Sequence, residues 1–148
     1  MNQSANPPII YGMLCTVVSP NKRIVLLKRS PGKKVYPNLW AVVGAYPFKE
    51  KVDMATIALR EITDELGLNG NIIRVGNEIV NKVELEGKLI ELHVVPVLAT
   101  VNSEEVILNN EHTEYVWVDI DNVSSVELAP GMLDVMLAVN TEEYINSL

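Results

Sequence analysis

Apolar residues cluster along the chain into short runs that polar turns separate. The runs are rich in β-branched side chains, and this composition predicts buried strands. Three such runs fall in the first third of the chain, at 9–19, 23–29 and 40–43. A polar loop at 30–39 precedes the third run, which we expect to stop at Gly44.

The second half of the chain adds further strands and a terminal helix. Residues 79–101 predict two strands joined by a tight turn at Glu86-Gly87, and residues 114–120 predict another strand. Helical spacing of apolar residues predicts a helix over 129–148, interrupted near Asn140. Strands outnumber helices, which lie between and after them. This order indicates an α/β or α+β class, with helices packed on a mixed sheet.

Another helix is predicted between the third run and residue 79. Asp53 can cap its first turn, and Gly67 suits the left-handed position just past its last turn. At about 100° per residue, the apolar side chains between these caps gather on one stripe that we expect to face the core. The stripe consists of Met54, Ala55, Ala58, Leu59, Ile62 and Leu66.

Two glutamates of this helix, Glu61 and Glu65, lie one turn apart at the edge of the stripe. Arg60 and Asp64 lean outward instead. Two unpaired carboxylates this close repel and raise each other's pKa, whereas Mg²⁺ or Mn²⁺ would turn the repulsion into coordination. The spacing leaves two interpretations open: a metal site, or acids matched by a lysine or arginine from a loop.

Length and composition fit one ordinary domain, which we expect to cover residues 1–148. The net charge of −7 argues against a nucleic-acid polymer as partner. Cys15 is the single cysteine and lies in an apolar run, so we expect a buried thiol and a cytoplasmic location. No apolar stretch approaches the roughly 20 residues that a membrane-spanning helix needs, so no membrane partner is expected.

The charges are distributed unevenly along the chain. Eight of the 12 basic residues precede Asp53, whereas Glu50 alone among the 19 acidic residues does so. A basic first third and an acidic remainder suit a phosphorylated ligand held through a metal. For any single lysine, a solvated loop position is the simpler interpretation.

Residues 40–68 resemble the Nudix box of the Nudix hydrolases. In that pattern a glycine and, six positions later, a glutamate precede R-E-U-x-E-E-x-G-U, where U is a bulky apolar residue. Residues 60–68 match the second half with one change, Asp64 in place of glutamate. Arg29, Trp40 and the segment 111–118 (EHTEYVWV) also match features common in the family, and they occur in the right order.

The first half of the box departs from the family pattern. Gly44 and Glu50 have the family spacing, but nine residues separate Glu50 from Arg60 where the family has seven. The position where the pattern expects glutamate, counted back from Arg60, holds Val52, and the usual Gly-Gly pair is Gly44 followed by Ala45. The loop therefore carries extra residues, and Glu50 is expected beside Arg60 or a metal-bound water only if the loop brings it there.

The resemblance implies a single domain of Nudix fold, an α/β/α sandwich with a mixed β-sheet between helices. It implies MutT-like, Mg²⁺-dependent hydrolysis of a phosphoanhydride bond in a nucleoside diphosphate linked to another group, with Mn²⁺ as an alternative ion. By the resemblance, the metal ligands are Glu61, Glu65 and Asp64, the catalytic set adds Arg60 and Glu50, and Arg29, Gly44 and Ala45 contact substrate. Arg60 would orient Glu61 or Glu50. A general base would come from Glu111 or Glu114, unless that segment is a solvated turn.

The sequence leaves several substrates and one rival function open. Some family members that cleave ADP-ribose carry a proline about fifteen residues past the box, and residues 81–87 contain none. This favours nucleoside triphosphates over ADP-ribose or dinucleotides. The rival is a Nudix-fold sensor or regulatory module that binds a nucleotide with weak or no cleavage. A prenyl-diphosphate isomerase lacks a candidate catalytic cysteine, and a homodimer, common in the family, stays open.

Overall fold

A computed structural model describes residues 6–148 of the chain. The strands of this range are β1 (Ile9–Val18), β2 (Ile24–Arg29), β3 (Trp40–Ala41), β4 (Val43–Phe48), β5 (Gly70–Val75), β6 (Ile79–Leu85), β7 (Lys88–Val101) and β8 (His112–Val118). The helices are α1 (Met54–Leu66), α2 (Met132–Ala138) and α3 (Thr141–Asn146), with a 3-10 helix at Ile120–Ser125. Among these described residues, no helix combines the length and the hydrophobicity needed to cross a bilayer.

The strands form one mixed sheet built around β1 and β7. These two strands run parallel, with Ile9 opposite Glu91 and Val18 opposite Thr100. β1 also pairs antiparallel with β2 and β4, and β7 pairs antiparallel with β5 and β6. β3 and β8 both pair with β2. The predicted mixed sheet is therefore confirmed.

Helices cover both faces of the sheet, because successive residues of a strand point to opposite faces and both faces are apolar here. On one face, Val25 of β2 belongs to a buried cluster with Ile62 of α1. On the other face, the neighbouring Leu26 belongs to a cluster with Met136 of α2 and Ile145 of α3. The predicted sandwich, with the sheet between helices, is confirmed.

Local capping signals are confirmed at both ends of α1. The Asp53 side chain accepts hydrogen bonds from the backbone N–H groups of Ala55 and Thr56, and Gly67 takes a left-handed conformation with φ 68°. The predicted interruption near Asn140 is also confirmed. Asn140 has φ 52° and separates α2 from α3.

The prediction that the third run stops at Gly44 is wrong. β4 continues through Gly44 to Phe48 because Gly44 pairs with Leu14 of β1. A Cβ atom at position 44 would lie 2.6 Å from Leu14 Cδ2, so the missing side chain allows this close approach. Two further differences concern β5 and β8. β5 was not predicted, and β8 begins and ends two residues before the predicted range.

The buried face of α1 also differs from the predicted stripe. Ile57 is buried, whereas Leu59 is 37% exposed. The buried face is therefore rotated toward the two glutamates, and Glu65 lies within it at 2% exposure. The prediction that Glu65 lies at the edge of the core is wrong, because the residue is part of the core.

Candidate active site

The two glutamates of α1 line a cavity of about 850 Å³. Five of the residues predicted from the sequence to form the site line this cavity: Arg29, Gly44, Ala45, Glu61 and Glu65. His112, the first residue of β8, and Glu111, the candidate base just before it, line the cavity as well. The fold thus brings together residues from β2, β4, α1 and β8.

Helix packing sets the positions of Glu61 and Glu65. Ala58 and Ile62 are fully buried on the same face of α1 and fix the rotation of the helix against the sheet. One turn separates the two glutamates, so their side chains project to the same region. Glu61 keeps 15% of its side chain exposed, whereas Glu65 is enclosed. The site therefore has one solvent-facing and one buried carboxyl group.

Burial is the main reason why the pKa of Glu65 is raised to about 9, and the nearby charges of Glu61 and Glu111 raise it further. A hydrogen bond from the backbone N–H of Gly44 opposes this rise. Glu65 Oε2 is buried and has no hydrogen-bond partner. Without a cation, Glu65 is therefore protonated at neutral pH and incompletely satisfied.

His112 is the neighbour of Glu65 that the sequence did not assign to the site. Its Nε2 lies 3.6 Å from Glu65 Oε1, and its Nδ1 has no hydrogen-bond partner. Burial lowers the pKa of His112 to about 4, and the positive charges of Arg29 and Lys33 act in the same direction. The imidazole is neutral at pH 7. The interpretation of this segment as a solvated turn is wrong for His112, and its match to the family segment was the available signal.

A divalent cation fits the carboxyl groups of Glu61 and Glu65. The buried Oε2 of Glu65 has no hydrogen-bond donor, and Glu61 supplies a second carboxylate one helical turn away. Within residues 6–148, no group of three His, Cys, Asp or Glu side chains is preassembled for a metal. Mg²⁺ suits such a site, because it commonly uses one or two carboxylates and completes its shell with water and substrate phosphate.

The remaining predicted site residues lie outside the cavity wall. Arg60 Nε is 3.5 Å from Glu61 Oε2, which is the contact expected of a residue that orients Glu61. Asp64 is exposed on the outer side of α1. Glu50 is exposed in the bend before α1, and the described contacts do not join it to Arg60. The structure therefore does not bring Asp64 or Glu50 to the carboxylate pair.

Of the two candidate bases, only Glu111 lies in the cavity wall. Its pKa is lowered, chiefly by a hydrogen bond from Lys33. Glu114 instead faces Lys28 at 3.4 Å on the exposed side of β2 and β8. Of the two candidates, Glu111 alone therefore faces the cavity that holds Glu61 and Glu65.

A sequence model of the NUDIX domain matches residues 10–138. Since this match spans most of the chain, the protein belongs to the NUDIX domain family. None of the curated proteins compared with the chain matches it.

Solved structures of other family members share the fold. The MutT protein of Methanosarcina mazei Go1 superimposes with a TM-score of 0.72 at 21% identity, over 95% of this chain and 99% of that one. A C. elegans Ap4A hydrolase gives 0.68 at 16% identity, over 94% and 99%. The NUDIX domain of Shewanella oneidensis NrtR, complexed with ADP ribose, gives 0.67 at 11% identity, over 97% and 94%. The expected Nudix fold is confirmed.

Proposed function

We propose that this protein hydrolyses a phosphoanhydride bond in a nucleoside diphosphate linked to another group, with Mg²⁺ as cofactor and nucleoside triphosphates as the favoured substrates. One observation carries the proposal. The buried Oε2 of Glu65 has no hydrogen-bond partner, and Glu65 lies one turn from Glu61 in the wall of a cavity large enough for a nucleotide. A cavity of about 850 Å³ falls within the range usual for small-molecule sites.

The cavity wall suits the two parts of a nucleotide. Apolar side chains, among them Leu14, Leu92 and Val135, form the wall on the α2 side of the sheet and offer a surface for a base or sugar. Arg29 and the two α1 glutamates, Glu61 and Glu65, also line the cavity, and the phosphates would bind beside them. In this orientation the scissile anhydride lies beside α1.

Each site residue has a specific role in the proposed reaction. A bound divalent ion supplies charge neutralisation on the diphosphate and lowers the pKa of a bound water. Glu61 and Glu65 would hold this ion, and Arg60 keeps Glu61 oriented. Glu111 accepts the proton of the attacking water. The guanidinium of Arg29 would bind phosphate oxygens, and the strand backbone at Gly44 and Ala45 would form the adjacent wall of the substrate site.

The experiment is a hydrolysis panel of nucleoside triphosphates, ADP-ribose and dinucleotides, with Mg²⁺ or with EDTA. We expect Mg²⁺-dependent product, fastest for a nucleoside triphosphate. Glu65→Gln removes a charged ligand and should lower kcat at least about 10²-fold while the fold persists. Glu143→Gln, an exposed neutralisation on α3, is the matched control and should behave as the wild type. Absence of turnover across the panel would refute the proposed hydrolase activity. A fully active Glu65→Gln would refute the assignment of Glu65 as a metal ligand.

A nucleotide sensor is the alternative function. Glu50 is exposed outside the cavity, and Val52 occupies the position where the family pattern expects glutamate. The similarity to the NrtR domain, which was solved with ADP ribose, supports testing that ligand. Calorimetric titration that detects tight binding, together with an assay that detects no product, would favour the sensor over the hydrolase.

A further inference from the structure

We propose that Lys33 is a positioning residue for the hydrolysis proposed above: its ion pair with Glu111 holds the carboxylate of Glu111 in the cavity beside Glu61 and Glu65. This role rests on the proposed function, because Glu111 needs a reaction in which to accept a proton. Lys33, Glu111 and both α1 glutamates line the same cavity.

Both carboxylate oxygens of Glu111 are held. Lys33 Nζ donates to Oε1 at 2.6 Å, and Asn109 Nδ2 donates to Oε2 at 3.3 Å. The backbone N–H of Glu111 in turn donates to Asn109 Oδ1 at 3.0 Å. A carboxylate bound from two sides has a defined direction, which a proton acceptor requires.

The backbone places Lys33 for this contact. The Ser30 N–H donates to the carbonyl of Glu111 at 3.1 Å, and the Lys33 N–H donates to the carbonyl of Ser30 at 3.1 Å. Arg29 Nε donates to the carbonyl of Val35 at 2.8 Å and braces the other side of the loop. Backbone hydrogen bonds therefore attach the start of the loop at 30–39 to residue 111, and they restrict the position of Lys33.

The positive charge of Lys33 offsets the negative charge that surrounds Glu111 in the cavity. The wall of this cavity also carries the carboxyl groups of Glu61, Glu65, Glu86 and Asp134. The charge of Glu111 acts on Glu65, and a group of acids opposes the ionisation of each of its members unless a positive charge balances it. Lys33 brings one positive charge to this group with only 28% of its side chain exposed. Without that charge, Glu111 would turn toward solvent, and the cavity would lose its oriented acceptor.

Lys33 could instead contact a substrate phosphate directly, and the two roles predict different kinetics. A phosphate contact changes KM and persists when Glu111 is altered. A role through Glu111 lowers kcat and vanishes when Glu111 is already neutral, because residues that act as a unit are non-additive.

The test is a double-mutant cycle on kcat and KM for a nucleoside triphosphate with Mg²⁺. We expect Lys33→Met to lower kcat about tenfold with KM within twofold, and Glu111→Gln to lower kcat about 10²-fold or more. The double variant should be no slower than Glu111→Gln. Lys33→Arg keeps the charge and should restore most of kcat. If Glu111→Gln leaves too little turnover to measure, Glu111→Asp replaces it in the cycle.

Lys28→Met is the matched control. Lys28 of β2 pairs with Glu114 of β8 at 3.4 Å, but neither residue lines the cavity. Its kinetics should equal those of the wild type. If Lys33→Met mainly raises KM, or slows Glu111→Gln by a further tenfold, the positioning role is overturned. An active wild type with a fully active Lys33→Met overturns this role alone, whereas a wild type without turnover overturns the proposed function and this role with it.

Discussion

Neutralising Glu65 should remove a pH dependence from the stability of the metal-free protein. Glu65 is protonated in the folded state at neutral pH, since its pKa is raised to about 9 from the ordinary 4.5. In the unfolded chain the same group is ionised above pH 4.5. Between pH 7.0 and 8.5 the folded state therefore binds one more proton than the unfolded state, and the free energy of unfolding falls as the pH rises.

The size of the fall follows from the pKa values. One pH unit corresponds to about 1.4 kcal/mol for one proton, so the interval from pH 7.0 to 8.5 costs about 2 kcal/mol, allowing for partial ionisation near pH 9. His112 sets the lower limit of the interval. Its pKa is lowered to about 4 in the fold, so below pH 6.5 its protonation in the unfolded chain reduces stability as the pH falls.

His93 contributes a pH dependence that must be subtracted. Hydrogen bonds to Glu91 and Glu78 raise the pKa of His93, so the stability it contributes is lost as the pH rises above 6.5 through the raised value. This contribution is the same in the wild type and in Glu65→Gln. The quantity to compare is therefore the difference between the two proteins at each pH.

Urea unfolding in EDTA at pH 7.0 and 8.5 measures this difference. We expect the wild type to lose about 2 kcal/mol more than Glu65→Gln over the interval. Asp64→Asn neutralises an exposed acid on the same helix and should retain the pH dependence of the wild type. Equal losses in wild type and Glu65→Gln would refute the argument that Glu65 is buried and protonated.

Two further predictions concern the caps of α1. Asp53→Ala removes the acceptor for the N–H groups of Ala55 and Thr56 and should lower the free energy of unfolding by about 1 kcal/mol in urea titration; an unchanged value would contradict the cap. Gly67→Ala places a side chain at φ 68° and 3.1 Å from Ile107 Cβ, and should cost about 1–2 kcal/mol in the same assay. A Gly67→Ala protein as stable as the wild type would show that this left-handed cap carries no strain for alanine.

Local signals allowed α1 to be predicted to the residue. Asp53 and Gly67 identify its ends because capping depends only on the adjacent turn. The same holds for the break at Asn140. The pairing of Glu61 with Glu65 was equally readable, since helical spacing alone brings them together. The resemblance then indicated the family, which the domain match established.

Features that depend on distant partners were not predictable in this way. β4 extends past Gly44 only because β1 accepts it, and no pattern near Gly44 reveals Leu14. β5 is short and alternately exposed, so its assignment depends on its pairing with β7. His112 meets Glu65 across the fold, and the depth of Glu65 follows from the rotation of α1 against the sheet. Spacing in the sequence carries none of this information.

The parallel pairing of β1 with β7 has a consequence for how the protein folds. Ile9 lies opposite Glu91, so the central pair of strands closes a loop of about 80 residues, and α1 lies inside that loop. Closing such a loop costs entropy before any contact is gained, and chains rich in distant contacts fold slowly. We expect α1 to form early from its own caps, and the sheet against which it packs to form only when β1 and β7 have joined. Its carboxylates meet Glu111 once β8 has also paired with β2.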